Sequence, residues 1–321
     1  MKKIISFLSA VLLAACIFSS CASSNPSGAD SGKLKIVTTI FPGYDWVRNV
    51  LGENPANAEL TMLLDNSVDL HSYQPTAADI LKISTCDLFV YVGGESDEWV
   101  DGVLKEAANP NMTVINLLEA LGDRAKEEES IEGMEPEDHD HEAEYDEHVW
   151  LSLKSASVLV QAIAERLSEK DATNASVYQK NASAYIAKLN DLDKSYEAAV
   201  SSAPLKTLLF GDRFPFRYMA DDYGLSCYAA FAGCSAETEA SFETISFLSN
   251  KINELSLHAV LTIEGSDRRI AETIVRNTQT KDQKILTLDS LQTVSKADIE
   301  SGTTYLSVME KNLSVLKDAL Q

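Results

Sequence analysis

The chain has 321 residues, 45% of them hydrophobic and 24% charged, the balance of a folded protein long enough for two domains. Lys and Arg number 27 against 49 Asp and Glu, a formal charge of −22. A surface this acidic repels nucleic acid and anionic lipid, and it suits a cation as partner.

The chain opens as an export signal. Met1-Lys2-Lys3 is basic, and residues 4–18 are apolar but too short for a membrane span of about 20 residues. Two cysteines follow small residues: Cys16 in Leu-Ala-Ala-Cys and Cys21 in Phe-Ser-Ser-Cys. Cys21 heads a Ser-rich stretch over 22–33 that reads as a flexible tether, so it is the expected lipidation site, with Cys16 the alternative. Residues 1–21 are thus read as a lipoprotein leader, which puts the protein outside the cytoplasm, anchored to the cell membrane. No later run reaches 18 apolar residues.

From residue 34 onward, short apolar runs alternate with amphipathic ones. Strands are predicted over 35–41, 60–64, 88–92 and 114–117, with helices over 44–51, 76–84 and 97–108 between them. The character changes at 127–147, where 12 of 21 residues are acidic and none is Lys or Arg. Such a run is expected to be a mobile loop. Helical patterning resumes near Trp150, with Val158, Leu159, Ile163 and Leu167 on one face. Residues 172–203 contain no Gly or Pro and carry Tyr178, Tyr185, Leu189, Leu192 and Tyr196 at helical intervals, which predicts one long helix ended by Pro204. The second half then repeats the alternation, with strands over 208–210, 228–231, 259–264 and 285–289 and helices over 215–222, 242–255, 268–277 and 304–320.

This βα alternation predicts an α/β fold of two Rossmann-like lobes with mainly parallel sheets, over 34–171 and 204–321, joined by a long linker helix over 172–203. Of the cysteines beyond the leader, Cys86 precedes an apolar run and reads as a buried small hydrophobe. Cys227 and Cys234 are near enough to pair in an oxidising compartment, although spacing does not decide it.

The chemistry is concentrated in histidines. The chain has five, and His139, His141 and His148 cluster around the acidic loop. His71 follows a predicted strand and His148 opens a helix, so both occupy positions where open α/β sheets bind ligands. Neutral imidazoles from two loops suit one metal ion; a surface or capping histidine is the competing reading. His139 and His141, in Asp-His-Asp-His-Glu, form a weak, adaptable metal-binding tract or simply a solvated loop. His258 precedes a strand and reads as structural.

Three segments carry a family resemblance: Thr39-Ile-Phe-Pro-Gly-Tyr-Asp45, Asp69-Leu-His-Ser-Tyr-Gln-Pro-Thr76 and Asp146-Glu-His-Val-Trp-Leu151. Residues 218–225, Ser235-Ala-Glu-Thr-Glu-Ala-Ser241 and Glu264 continue it. Together they resemble the solute-binding lipoproteins of zinc and manganese ABC importers, across the whole chain after the leader. The resemblance implies two α/β lobes, a rigid connecting helix and a metal cleft between the lobes. It implies a monomer that captures a divalent ion, Zn2+ with Mn2+ as alternative, and delivers it to a membrane permease and its ATPase, with no role for nucleic acid. Carried across residue by residue, the ligands are His71 and His148, with Asp267 as carboxylate and Glu264 in reserve. The position of the family's third ligand is Arg213, a permanent cation that cannot bind a metal. Water, His139, His141, Asp212, Glu237 or Glu239 would then complete the site, and Arg213 would pair with one of the acids.

Two other classes compete. An exported zinc hydrolase would need a general base beside a metal-bound water, yet the chain has no His-Glu-x-x-His and no Gly-x-Ser-x-Gly. A metal-buffering adhesin would need no transporter.

Overall fold

The computed structural model describes residues 33–52, 58–135, 145–235 and 239–321. The expected leader with Cys16 and Cys21, nearly all of the tether, and the loop residues His139, His141 and Glu237 lie outside the described residues. Residues Leu34–Gln321 form one compact unit.

Two four-stranded sheets organise it, and every strand pair in both is parallel. The first runs in the order β2-β1-β3-β4, with β1 Leu34–Thr38, β2 Ala58–Met62, β3 Leu88–Tyr91 and β4 Thr113–Asn116. The second repeats that order as β6-β5-β7-β8, with β5 Thr207–Phe214, β6 Ser226–Ala232, β7 Ala259–Ile263 and β8 Lys284–Leu288. Parallel strands need crossover helices, which cover both sheet faces, and so central strands are apolar throughout. β3 and β7 are buried at every position. The switch in strand order falls between β1 and β3 and again between β5 and β7, which marks the carboxyl ends of the strands as the ligand crevice.

The helices are α1 Phe41–Leu51, α2 Ala77–Thr85, α3 Trp99–Lys105, α4 Leu117–Leu121, α5 Leu153–Lys170, α6 Ala175–Ser202, α7 Arg217–Tyr223, α8 Phe242–Leu255, α9 Arg269–Asn277, α10 Lys296–Glu300 and α11 Tyr305–Ala319. Helix α6 is the long connector. Its 28 residues span about 42 Å at 1.5 Å per residue. Its buried stripe is Tyr178, Ala182, Tyr185, Leu189, Leu192, Tyr196 and Val200, the predicted face. That stripe lies on α1 and α5 of the first lobe and on α7 and α11 of the second. One hydrophobic core therefore runs through both lobes, and a second, smaller one lies beneath α8 and α9.

Three local differences from the predicted elements matter for the site. Helix α1 begins at Phe41, because Pro42 sits in its first turn, where a missing N–H costs nothing. Strand β5 runs to Phe214, four residues past its expected end, with a register shift between Phe210 and Arg213. The acidic segment is not wholly a solvated loop. Ile131 and Met134 pack against the core, Glu127 bridges Tyr145, and Asp146 and Glu147 are buried. The two apolar residues within it and the hydrogen bonds awaiting its last two carboxylates explain why its ends pack.

Candidate metal centre

His71 lies in a one-turn helix after β2. Asp69 caps that turn, its Oδ1 accepting the His71 backbone N–H at 3.0 Å. His148 follows β4 and the acidic segment, and Asp146 caps it in the same way at 2.8 Å. The two rings come from segments 77 residues apart, and their Nε2 atoms lie 3.2 Å from each other. Neighbouring nitrogens around a tetrahedral zinc are separated by about 3.3 Å, given Zn–N bonds of about 2.05 Å.

The opposite ring nitrogens are both occupied. His148 Nδ1 is 3.0 Å from Asp146 Oδ1, and His71 Nδ1 is 2.8 Å from Ser96 Oγ. A carboxylate at Nδ1 holds the proton there and leaves the Nε2 lone pair of His148 free for a metal. Burial, followed by the charge that His148 would carry, pushes His71 down to about 3, so its ring is neutral, as a metal ligand must be. Glu147 Oε1 accepts the Ser96 N–H at 2.8 Å, and Oε2 lies 3.6 Å from His71 Nδ1. Burial raises its carboxyl to about 7.

A third donor joins the imidazoles. Cys234, just beyond the carboxyl end of β6, brings Sγ into a group in which all three donor atoms lie within 4.8 Å of one another. The sequence suggests Cys234 only as a disulfide partner. It is a free thiol, as is Cys227. Gly233 makes the approach possible, because a Cβ there would sit 3.0 Å from His148 Cε1 and 3.0 Å from the Phe214 carbonyl. His71, Glu147 and Cys234 line one hollow with Tyr73, Ser96 and Trp99.

The two expected carboxylates are not in this group. Glu264 is already engaged, taking hydrogen bonds from Ser290 N at 2.6 Å, Ser290 Oγ at 2.7 Å and Gln292 N at 3.1 Å. Asp267 is 60% exposed and paired with Arg269 at 2.5 Å. Both face a separate hollow lined by Asp69, Asp212 and Arg213. The local reason is the turn at 264–268: Gly265 and Arg268 have positive φ, which turns the chain back toward α9. Asp212 holds the Ile263 N–H at 3.2 Å, and Glu239 is exposed.

Glu237 lies outside the described residues; Arg213 is in the cleft, and among the described residues its guanidinium pairs with Asp69 rather than with Asp212 or Glu239. Its guanidinium meets Asp69 Oδ2 at 2.7 Å, across the lobes, with both side chains about one-fifth exposed. Burial alone would raise the Asp69 carboxyl, but the Arg213 charge and hydrogen bond outweigh it and hold the pKa below its usual value. One acid thus caps the turn that carries His71 and fastens it to the second lobe. His258 is exposed at the start of β7, and its carbonyl accepts the Lys284 N–H at 2.9 Å. Cys86 is fully buried, as expected.

The chain as a whole is similar to known proteins. The family model for ZnuA, the periplasmic component A of the zinc-uptake complex, matches residues 36–319. The zinc-binding lipoprotein AdcA of Streptococcus pneumoniae R6 is 34% identical over 322 residues, which cover 99% of this chain and 61% of that protein. The chain therefore spans about three-fifths of that relative's length. The high-affinity zinc uptake system protein ZnuA of Bacillus subtilis is 31% identical, over 97% of this chain and 94% of that protein. Among solved structures, the Zn(II)-bound ZnuA-like domain of S. pneumoniae AdcA superposes with a TM-score of 0.71 at 31% identity, covering 90% of this chain and 99% of that one. With its family model matched along nearly the whole compact unit and the paired parallel-sheet lobes in place, this chain belongs to the ZnuA family of zinc-uptake components.

Proposed function

We propose that this protein is the extracytoplasmic solute-binding component of an ABC importer for zinc. It captures Zn2+ between its lobes and hands it to a membrane permease powered by an ATPase. The observation that carries the reading is the convergence of His71 Nε2 and His148 Nε2 at 3.2 Å, with both Nδ1 atoms tied back to Ser96 and Asp146. Two preoriented imidazoles suit zinc better than the harder manganese ion. The zinc-binding names of the relatives support the same cation.

Lipidation at Cys21 and life as a monomer beside the permease belong to the same proposal. So does an auxiliary role for His139 and His141 in gathering cations near the cleft. Among the described residues no helix is long and apolar enough to cross a membrane. A role in capture rather than catalysis is supported by Glu147. It stands on the Nδ1 side of His71, away from the Nε2 side where a metal-bound water would need its base.

Gene deletion in the host tests this reading. Growth should fail when zinc is chelated, recover with added zinc or the wild-type gene, and stay defective with a His71→Ala/His148→Ala gene. Full rescue by that double variant would overturn the assignment.

A further inference from the structure

We infer that Cys234 is the third protein ligand of the bound zinc, a soft thiolate that the second lobe contributes across the cleft to the two imidazoles of the first. The inference rests on the reading of His71 and His148 as the zinc site.

Position carries the argument first. The sulfur and one ring nitrogen of each histidine already lie within 4.8 Å of one another without an ion. Tetrahedral zinc with Zn–S of about 2.3 Å and Zn–N of about 2.05 Å places sulfur and nitrogen about 3.6 Å apart. A change of thiol rotamer or a small closing movement covers that difference. The neighbouring residue is shaped for this contact, since any side chain at 233 would press on the His148 ring.

Elimination carries it second. The second lobe must supply a donor if the ion is to be held between lobes. Arg213 cannot, and its guanidinium is committed to Asp69. Glu264 is engaged by Ser290 and Gln292 away from the histidines, and Asp267 is on the surface with Arg269. Cys234 is the donor from that lobe that joins the histidines among the described residues.

The chemistry is balanced simply. The thiol gives its proton to solvent as the Zn–S bond forms, and the site keeps one positive charge from Zn2+ and one thiolate. A fourth position is left for water or an oxygen donor. Thiolate and imidazole are poor donors for Mn2+, so this ligand set discriminates against manganese.

Cobalt substitution and zinc competition on residues 22–321, which contain the whole compact unit, test the inference. The Co2+-loaded protein should show a near-ultraviolet sulfur-to-cobalt charge-transfer band. Cys234→Ser should lose it and Cys227→Ser should keep it, with far-UV circular dichroism unchanged in both. Zinc affinity should fall at least about tenfold in Cys234→Ser and Cys234→Ala, with Mn2+ affinity altered less than about threefold. If the band is absent and both variants bind zinc like the wild type, while His71→Ala/His148→Ala does not, Cys234 is no ligand and the histidine site stands. If the double-histidine variant also binds zinc normally, the site reading fails and this inference fails with it.

Discussion

At the scale of single residues, the site depends on what stands behind each ligand. Asp146 accepts hydrogen bonds from both the backbone and the ring of His148, so it sets the tautomer as well as the position. Asp146→Asn should lower zinc affinity about 10- to 100-fold with the fold intact, because the amide reverses or weakens the Nδ1 contact. A competition titration checks this, and an unchanged affinity would count against Asp146 orienting the His148 ring. Asp97 offers a pH test away from the ligands. Burial raises its carboxyl to about 6, only partly opposed by hydrogen bonds from Val92 and Gly93 N–H. A folded-state pKa above the unfolded value of about 3.9 means that ionisation destabilises the fold. The penalty, of the order of 2–3 kcal/mol, is fully present above pH 7 and fades as pH falls through 6 toward 4. Asp97→Asn should therefore differ most from wild type in urea unfolding at pH 7.5, and less at pH 5. His71 and His148 stood out in the sequence through the family resemblance of the segments around them; residue type and spacing alone left a surface or capping histidine equally open. Cys234 did not stand out, since a cysteine following Gly has no signature that separates a ligand from a disulfide partner.

At the scale of elements, periodicity revealed most strands and helices to within a few residues. It did not reveal the extension of β5 through Asp212 and Arg213, because charged residues in a strand end leave no apolar trace; their place is set by the pairing of Arg213 with Phe231. Nor did it reveal α4, whose five residues are too few to establish a helical period. Composition misses how the described ends of the acidic segment pack, because a residue count ignores position: Asp146 and Glu147 end the run in a buried site with donors in reach. Helix α6 was the clearest element, with Leu189 fully buried at the centre of its stripe. Leu189→Ala should destabilise the protein by about 2–5 kcal/mol, read as a lower urea midpoint. A loss below about 1 kcal/mol would mean that the helix packs less closely than described.

At the scale of the whole molecule, the lobes are fastened at many points. Trp150 Nε1 donates to the Ser290 carbonyl at 2.8 Å, Tyr305 Oη donates to the Trp150 carbonyl at 2.6 Å, and Tyr196 Oη donates to the Met309 carbonyl at 2.6 Å. Asp45 on α1 accepts the Tyr305 N–H at 3.2 Å and the Tyr185 hydroxyl at 3.3 Å, joining the first lobe, the connector and the last helix. These buried contacts, with a shared core along α6, oppose wide opening about a hinge. Small-angle scattering should show no resolvable change in radius of gyration on zinc binding, and a clear contraction would contradict the rigid connector. Movement is then expected to be local, at the loops beyond the strand ends where His71, His148 and Cys234 stand.

The central claim is that the His71–His148 pair holds zinc, and a chelator-competition titration of residues 22–321 tests it most directly, with zinc and manganese, beside His71→Ala/His148→Ala. The account predicts a zinc dissociation constant below about 1 µM, weaker manganese binding, and loss of the tight zinc site in the double variant. Tight zinc binding that survives loss of both imidazoles would contradict it.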